Sequence, residues 1–232
     1  MYSTAGPLIF NSGAFCVILY ISMYMLRYSD PYDYMYTRNS EGYRCAEFSS
    51  INWSNSIAVF GCSEVFGVSV PEDQTLPHHL SLLFGRPCIN LGIPGASNRT
   101  IGLCVQRMYR RFGVTCGIIL WTVPMRYRYW NPVFRGWLDI SIGNCDQTVH
   151  EIEQQKFLSW ATDQQAVLAE WKVCRGLVQG YIFDQFTVIG ENWQCNPIEC
   201  DVWDYGADGS HSGGRRNKEL ARRIKHACIY TV

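Results

Sequence analysis

Charged residues are scarce in this sequence, and neither sign is in excess. They make up 17% of the 232 residues, and 20 lysines and arginines balance 20 aspartates and glutamates. A chain without net charge gives no electrostatic reason to expect a nucleic acid or another polyanion as its partner. Because 47% of the residues are hydrophobic, the composition excludes a disordered chain and indicates one sizeable domain with a packed core.

The sequence also lacks the residue spacing of a metal site. It contains 11 cysteines and 5 histidines, but the nearest cysteine pair, Cys195 and Cys200, has no second pair or histidine beside it. An odd number of scattered cysteines is typical of free thiols in a reducing compartment rather than of a disulfide framework. We therefore expect no metal ion, no cofactor, and a cytoplasmic or virion-associated protein.

No lysine or arginine precedes Arg27, so the amino terminus lacks the basic start of a signal peptide. Residues 7–26 carry no charge, and AFCVILYISMYML at 14–26 is strongly apolar. A membrane helix needs about 20 apolar residues, a length that this stretch reaches only by including polar residues at its start. We expect residues 1–55 to form an apolar arm and an irregular segment, with a membrane anchor as the alternative, and residues 56–232 to form the domain.

Apolar patterns divide this domain into alternating strands and helices. Short apolar runs bounded by glycine predict strands, and apolar residues at helical spacing predict helices. Such alternation favours an α/β fold, a three-layer α/β/α sandwich with a mostly parallel central sheet. The predicted strands lie at 56–61, 86–92, 116–123 and about 181–183, and the predicted helices at 73–85, 97–113, 148–176 and 215–229.

The stretch AVFGCSEVFG at 58–67 places a serine at the end of the first predicted strand. Ligands of open α/β sheets bind at the carboxyl ends of strands, so Ser63 is a candidate nucleophile. A nucleophilic serine needs a base, a group that orients the base, and donors for the oxyanion. The α/β-hydrolase pattern Gly-x-Ser-x-Gly fails here, because Val65 stands where the second glycine belongs.

The stretch DYGADGSHSGG at 204–214 supplies a candidate base. Asp208 and His211 are three residues apart in a glycine-rich loop before the last predicted helix. A short loop can turn back on itself, so that the carboxylate contacts one imidazole nitrogen and leaves the other to take a proton from Ser63. A solvated surface histidine is the alternative.

A third stretch, NLGIPGASN at 90–98, offers a candidate oxyanion donor. Gly95 lies between a predicted strand and a predicted helix, where a bare backbone N–H can face a ligand. A tight strand-to-helix turn without any such role is the alternative.

Together these stretches resemble the sequence blocks of the SGNH (GDSL-like) hydrolase superfamily. The similarity runs from about residue 56 to the carboxyl terminus, and the blocks occur in the family's order. The matching residues are Gly61-Cys62-Ser63 for the Gly-Asp-Ser block, Gly95 for the second-block glycine, and Asp208 and His211 for the final Asp-x-x-His. NSEGYR at 39–44 and WTVPMR at 121–126 further resemble SGNH-like proteins encoded by tailed phages.

The resemblance implies a serine esterase on an SGNH-hydrolase-like, flavodoxin-like sheet. Ser63 would be the nucleophile, His211 the base and then the acid, and Asp208 the group that orients His211. The backbone N–H groups of Ser63 and Gly95 would hold the oxyanion.

Two departures from the family pattern bear on this site. The aspartate of the first block is Cys62 here, and we expect its side chain to point away from Ser63 because the two adjoin on a strand end. The third block, Gly-x-Asn, is absent, and with it a side-chain oxyanion donor whose loss costs about 10² to 10³ in rate. The candidate substitutes are Thr122, Arg126 and Asn131.

The substrate class rests on the segment RYRYWNPVFRGW at 126–137. It places four aromatic residues near a predicted strand end: Tyr127, Tyr129, Trp130 and Trp137. Aromatic faces and arginines suit a sugar, so we expect a small ester or an acylated glycan, such as an O-acetyl glycan. Packing of these aromatics onto the domain is the alternative.

Two further functions are open on sequence grounds. With an incomplete oxyanion hole, the protein would be a glycan-binding or structural virion component on the same scaffold. An acyltransferase would use the same triad and differ only in what accepts the acyl group. The acyl chain and the oligomeric state are not determined by the sequence.

Overall fold

The computed structural model describes residues 36–131, 135–142, 151–179, 181, 183–187, 196–198 and 200–229. Residues 1–35 of the predicted arm lie outside these ranges, and with them the proposed membrane anchor. Within the described ranges no helix is both long and apolar enough to cross a lipid bilayer.

The strands are β1 (Ile57–Gly61), β2 (Cys88–Gly92), β3 (Gly117–Trp121), β4 (Tyr127–Asn131), β5 (Gly136–Ile140), β6 (Phe183–Thr187) and β7 (Asn196–Pro197). The α-helices are α1 (Ser63–Phe66), α2 (Leu76–Phe84), α3 (Asn98–Phe112), α4 (Glu151–Thr162), α5 (Gln164–Gly176) and α6 (Gly214–Ile229).

The central sheet of the described residues has five strands in the order β2-β1-β3-β6-β7, and all its pairs are parallel. Numbered within this sheet, the order is 2-1-3-4-5, which is the flavodoxin-like order of doubly wound α/β folds. The predicted α/β fold with a parallel, flavodoxin-like sheet is therefore confirmed. Gly61 pairs with Gly92, so β1 and β2 end at the same edge of the sheet.

Helices cover both faces of the sheet, because strand residues alternate between two hydrophobic clusters. In β3, Ile119 and Trp121 belong to one cluster, whereas Ile118 and Leu120 belong to the other. The first cluster includes residues of α3 and α5, and the second includes residues of α2 and α6. A strand with apolar residues on both faces is what the middle layer of a three-layer sandwich requires.

The helices α2 and α3 begin at side-chain caps. Oγ1 of Thr75 accepts the N–H of His78, and Oγ of Ser97 accepts the N–H of Thr100. Each cap satisfies a backbone donor that the first turn leaves without a partner. Ser97 is therefore the N-cap residue of α3.

The prediction of a single helix at 148–176 is wrong, because the chain forms α4 and α5 with Asp163 between them. The Asp163 carboxylate accepts the N–H groups of Gln165 and Ala166 at 2.9 and 3.1 Å. It therefore caps a new helix instead of continuing the previous one. The strand expected at about 181–183 is β6, which begins only at the last of these residues.

The segment 36–55 belongs to the folded unit, which therefore begins earlier than the boundary drawn from the sequence. Tyr43 and Phe48 are almost fully buried in the cluster that includes α3. The carboxylate of Glu41 binds the guanidinium of Arg107 on α3 at 2.6 Å. These contacts attach the segment to the side of the sheet that α3 and α5 cover, although its sequence predicts irregular structure.

β4 and β5 form an antiparallel hairpin that is separate from the central sheet. Successive side chains of a strand point to opposite faces, and cross-strand partners share a face. One face carries Arg128, Trp130, Trp137 and Asp139, and the other carries Tyr127, Tyr129, Leu138 and Ile140. The first face contacts the amino end of α3, and the second packs on α4.

Candidate active site

Ser63 lies where β1 ends and α1 begins. Gly61 is the last residue of the strand, and a Cβ there would overlap the side chain of Val65 and lie 3.0 Å from the carbonyl oxygen of Leu120. Close packing therefore requires a glycine at this position. The helix α1 begins two residues later. Ser63 is the first residue of that helix and is 5% exposed.

The packing of α1 against β2 leaves no room for a side chain at Gly92. A Cβ there would overlap the backbone nitrogen of Phe66 and lie 2.7 Å from its Cα. Beside it, the buried side chain of Asn90 donates to the Phe66 carbonyl at 3.1 Å and accepts the Gly92 N–H at 3.0 Å. The helix that begins with Ser63 is thus fixed to the neighbouring strand at its far end.

The expectation that Cys62 points away from Ser63 is wrong. Sγ of Cys62 lies 3.8 Å from Oγ of Ser63, which donates a weak hydrogen bond to it. The alternation of a strand does not apply to this pair, because β1 ends at Gly61 and Cys62 has φ −97° and ψ −144°. The thiol is buried against the hydroxyl of the candidate nucleophile.

Asp208 and His211 contact each other within the loop 204–214. Oδ2 of Asp208 lies 2.5 Å from Nδ1 of His211, and Oδ1 accepts the N–H groups of Ser210 and His211, each at 3.0 Å. Burial by itself raises the pKa of this carboxyl, but the hydrogen bonds outweigh burial and hold the pKa below its usual range. The ionised carboxylate orients the ring and leaves Nε2 for proton transfer.

The predicted hydrogen bond between Ser63 and His211 is not formed among the described residues, but their two segments meet. The carbonyl oxygen of Ser63 accepts the N–H of Val68 at 3.3 Å. The carbonyl oxygen of the next residue, Ser69, accepts the N–H of Ala207 at 3.0 Å. Ala207 belongs to the loop that carries His211, so backbone hydrogen bonds connect the segment after Ser63 with this loop.

Two backbone N–H groups at this edge of the sheet are the candidate oxyanion donors. Gly95 has φ 75°, a left-handed conformation that favours glycine, in a turn closed by the N–H of Ala96 and the carbonyl of Ile93 at 3.1 Å. Within the described part of the chain, the N–H groups of Gly95 and Ser63 have no hydrogen-bond partner. Because β1 and β2 are parallel neighbours, both groups lie at the same edge of the sheet.

Of the three candidate substitutes for the missing asparagine, Asn131 is engaged through its side chain and Thr122 only through its backbone. The side chain of Asn98 accepts the N–H of Thr122 at 2.9 Å and donates to its carbonyl at 3.0 Å. Asn131 is buried, and its side chain hydrogen-bonds with Tyr129. The backbone of Thr122 and the side chain of Asn131 therefore already have hydrogen-bond partners.

Arg126 is the candidate substitute that contacts the Gly95 turn. Its Nη1 lies 3.4 Å from the carbonyl oxygen of Ala96, and its Nε is buried without a hydrogen-bond partner among the described residues. A guanidinium carries five N–H donors and a permanent positive charge. Arg126 therefore brings charge and spare hydrogen-bonding capacity to the side of the candidate oxyanion position.

The carboxylate of Asp139 anchors the hairpin beside the same turn. It is 6% exposed and accepts hydrogen bonds from Oγ of Ser97 at 2.5 Å and from Oγ1 of Thr100 at 2.7 Å. Burial raises the pKa of Asp139, and these hydrogen bonds together with the nearby Arg128 oppose that rise. Arg128 also donates to Thr100 at 3.3 Å, so both strands of the hairpin bind the amino end of α3.

Two of the aromatic residues predicted to bind substrate support the hairpin instead. The ring centroids of Tyr127 and Trp160 on α4 are 4.9 Å apart. Tyr129 is partly buried against the cluster formed by Phe157 and its neighbours on the same helix. Both tyrosines therefore pack on α4, and Tyr127 remains 36% exposed.

The opposite face of the hairpin presents an exposed aromatic pair. Trp130 and Trp137 are cross-strand partners, 47% and 44% exposed, with ring centroids 5.5 Å apart at 72°. The guanidinium of Arg128 lies 5.3 Å from the Trp137 ring centroid. We call Trp130, Trp137 and Arg128 the tryptophan corner; it shares its hairpin face with Asp139, which is bound to α3.

A separate cavity of about 430 Å³ lies beside the loop 204–214. It is bordered by Ser69, His79 and the start of α6. Burial lowers the pKa of His79. Neither Ser63 nor His211 lines this cavity, so it is distinct from the candidate reaction centre.

The described residues contain no group of three or more histidine, cysteine, aspartate or glutamate side chains placed to hold a metal ion. All cysteines within these ranges are free thiols. Burial raises the pKa of several of them, for example the Cys45 thiol to about 12, which keeps such thiols protonated at neutral pH.

Four buried or partly buried polar residues that shape the site were not identified from the sequence: Arg44, Asn90, Asn98 and Asp139. Asn90 and Asp139 each interrupt an apolar stretch, and a polar residue in a buried strand signals a specific hydrogen-bond partner. Arg44 and Asn98 lie in polar stretches, where no such signal exists.

No family model and no curated protein matches the chain. Among solved structures, the chain is similar to a protein assigned to the lipolytic G-D-S-L family from Desulfitobacterium hafniense DCB-2, with 11% identity and a TM-score of 0.38 over 74% of this chain and 98% of that one. It is also similar to AlinE4, an SGNH-hydrolase family esterase, with 12% identity and a TM-score of 0.30 over 77% of this chain and 96% of that one. Both likenesses are low, and the fold assignment rests on the chain's own sheet order. The resemblance to phage-encoded proteins stays a prediction.

Proposed function

We propose that the protein is a serine ester hydrolase of the SGNH type. Ser63 is the nucleophile, His211 the general base and then the general acid, and Asp208 the group that orients His211. One observation carries the proposal. An ionised Asp208 holds the imidazole in a loop that is hydrogen-bonded to the segment following Ser63.

Acylation begins when Oγ of Ser63 attacks the ester carbonyl carbon and Nε2 of His211 takes the hydroxyl proton. The carbonyl oxygen becomes an oxyanion, which the N–H groups of Ser63 and Gly95 stabilise. As the carbonyl re-forms, the bond to the leaving alkoxide breaks, and the imidazolium gives that oxygen its proton. The product is an alcohol and an acyl group on the serine.

Deacylation repeats these steps with water as the nucleophile. His211 takes a proton from the water that attacks the acyl carbonyl, and returns it to Oγ of Ser63 as the bond to the acyl group breaks. The carboxylate of Asp208 stabilises the imidazolium in both steps and keeps its own negative charge. The low pKa of Asp208 suits that role.

The first step requires the Ser63 hydroxyl to turn from Cys62 towards His211. The sulfur is a weak acceptor at 3.8 Å, so little interaction is lost on turning. Catalytic hydrogen bonds are often long or misaligned before substrate binds. The weak hydrogen bond from Ser63 to Cys62 is therefore compatible with the proposed chemistry.

For the substrate we propose an acylated glycan, with an O-acetyl group as the ester. The tryptophan corner supports this proposal, because two exposed aromatic rings set at 72° offer apolar faces to a sugar ring while Arg128 offers N–H donors for its hydroxyls. The corner lies on the hairpin that is bound beside the Gly95 turn. A sugar held there would carry its ester near the same edge of the sheet.

A second candidate function is glycan binding without turnover. Two observations favour it. The Ser63 hydroxyl forms a hydrogen bond with Cys62 rather than with His211, and the asparagine of the family's third sequence block is absent. On this alternative the tryptophan corner would work alone, and the protein would be a binding or structural component.

The two functions are separated by comparing wild type with Ser63→Ala on p-nitrophenyl acetate and on an acetylated oligosaccharide. A serine hydrolase loses essentially all turnover in the variant and forms one adduct with a fluorophosphonate, which mass spectrometry places on Ser63. Equal rates for both proteins on both substrates contradict the hydrolase proposal. Retained oligosaccharide binding would then leave the non-catalytic function.

A further inference from the structure

A buried arginine outside the triad organises the turn that follows the nucleophile's helix. Arg44 is 4% exposed, and its guanidinium donates to the carbonyl oxygens of Gly67 at 2.6 Å and Val70 at 3.0 Å. It makes a longer contact of 3.3 Å with the carbonyl of Phe66 and binds the Glu72 carboxylate at 2.7 Å. One side chain thus holds four positions of a seven-residue turn, which we call the 66–72 turn.

The 66–72 turn contains a residue in an unfavourable backbone conformation. Ser69 has φ 62°, in the left-handed region that residues other than glycine rarely adopt. Its N–H donates to the hydroxyl of Tyr36 at 2.8 Å, and the Tyr36 ring lies 4.6 Å from the guanidinium of Arg44. Such a conformation persists only when surrounding contacts impose it, and here Tyr36 and Arg44 supply those contacts.

The same turn connects the nucleophile with the loop that carries the base. On one side, the carbonyl oxygen of Ser63 accepts the N–H groups of Gly67 and Val68 at 2.9 and 3.3 Å. On the other side, the carbonyl of Ser69 accepts the N–H of Ala207 at 3.0 Å. Gly206 packs so closely on Ser69 that a Cβ there would lie 3.0 Å from the serine's carbonyl oxygen.

We propose that Arg44 is a positioning residue that sets His211 relative to Ser63. By fixing the 66–72 turn in the conformation that presents the Ser69 carbonyl, it determines where the loop 204–214 is held. This role rests on the proposed serine hydrolase function. Misplacement of a catalytic group by about 1 Å can cost about 10²-fold in rate, so a loosened turn lowers kcat without altering the residues that bind substrate.

The test compares Arg44→Ala with Arg107→Ala, measuring kcat and KM on p-nitrophenyl acetate well below each variant's Tm. Arg107 is the matched control, because it attaches the same amino-terminal segment to the domain through Glu41 but does not contact the turn. We expect Arg44→Ala to lower kcat by about 10- to 100-fold with KM unchanged. Low millimolar guanidinium should partly restore its rate. Arg107→Ala should lower Tm and keep the wild-type kcat.

A milder variant covers the case in which Arg44→Ala does not fold. Tyr36→Phe removes only the hydroxyl that accepts the Ser69 N–H and keeps the ring beside Arg44, so it should fold and lose several-fold in kcat. If folded Arg44→Ala keeps the wild-type kcat, or if Arg44→Ala does not fold and Tyr36→Phe keeps the wild-type kcat, Arg44 only stabilises the fold and the positioning role is overturned. If Ser63→Ala itself reacts like wild type, the hydrolase proposal fails, and the positioning role fails with it.

Discussion

Oγ of Ser97 and Oδ1 of Asp139 lie 2.5 Å apart, and this hydrogen bond joins the turn after β2 to the hairpin of β4 and β5. Ser97 also caps α3, so one hydroxyl serves both the helix and the hairpin. The Gly95 turn, Arg126 and the tryptophan corner are thereby held in one arrangement. The loop 204–214, which carries Asp208 and His211, is attached separately, through Ser69. The candidate site therefore has two independently supported halves, and each can be tested by its own variants.

Arg126 should take the place of the missing oxyanion donor. We expect Arg126→Met to lower kcat on p-nitrophenyl acetate by about 10²-fold, because methionine has no N–H donor and one oxyanion donor is typically worth about 10² to 10³. KM should change little, since the donor acts on charge that develops in the transition state. Steady-state kinetics of the purified variant measure both effects.

Thr122→Val is the comparison for this prediction, because it leaves the backbone contacts of Thr122 with Asn98 intact. It should cost much less activity than Arg126→Met. A larger loss in Thr122→Val would assign the missing donor to the threonine hydroxyl and show the prediction to be wrong.

The tryptophan corner should determine affinity for a glycan but not reactivity towards a small ester. Trp130→Ala and Trp137→Ala should each raise KM for an acetylated oligosaccharide by about fivefold, since stacking on one aromatic ring contributes on the order of 1 kcal/mol and about 1.4 kcal/mol corresponds to tenfold. Rates on p-nitrophenyl acetate should stay at the wild-type level. Tyr109→Ala is the control, because Tyr109 is similarly exposed, at 43%, on α3. Equal KM values for all four proteins would remove the corner from the substrate site.

Gly92 should tolerate no side chain, because a Cβ there overlaps the backbone of the helix that Ser63 begins. Gly92→Ala should reduce the free energy of unfolding by about 1 to 3 kcal/mol, as overpacking does. It should also lower the rate of fluorophosphonate labelling of Ser63. Urea unfolding and a labelling time course measure the two effects.

Gly176→Ala is the matched control for this substitution. A Cβ at Gly176 meets no atom within 4 Å, so alanine there should be neutral or stabilise by about 0.4 to 1 kcal/mol. Labelling of Ser63 should proceed at the wild-type rate. If both alanine variants behaved alike, close packing at Gly92 would not be what fixes the nucleophile.

The paired carboxylate of Asp208 should stabilise the fold in a pH-dependent way. Its pKa is lowered in the folded protein, whereas an unperturbed aspartate has a pKa of about 3.9. Its contribution is therefore fully present above that value and is lost as the pH falls through the folded pKa. The difference in unfolding free energy between wild type and Asp208→Asn should be constant above about pH 5 and should shrink below about pH 4. Urea unfolding from pH 2.5 to 7 checks this, and a difference that grows on acidification would contradict it.

The same Asp208→Asn variant should lose most of its activity at neutral pH. An amide orients the histidine wrongly and cannot stabilise the imidazolium, a change that costs about 10⁴ in kcat in serine proteases with such a triad. KM should be nearly unchanged. A variant with more than about a tenth of the wild-type kcat would show that Asp208 does not orient the base.

The sequence by itself determined the elements whose causes are local in the chain. Alternating apolar runs and helical spacing placed β1, β2, β3, α2, α3 and α6, because period and glycine stops are properties of a few adjacent residues. The loop with Asp208 and His211 belongs to the same class, since its two side chains are close enough in sequence to meet within one turn. The break between α4 and α5 also has a local cause, because aspartate is a common N-cap residue and Asp163 caps α5.

Only the tertiary structure decided which distant groups meet. The hydrogen bonds from Arg44 to the 66–72 turn, from Ser97 to Asp139 and from Ala207 to Ser69 join segments separated by 22 to 138 residues of chain, and no local pattern records such pairs. The sequence could not separate the supporting tyrosines from the exposed tryptophans, because that depends on which face of the hairpin packs on α4. Likewise, the Cys62 side chain turns towards Ser63 because the strand ends one residue earlier. Burial and long-range contact are properties of the assembled fold, and they determine which of the candidate residues can act together.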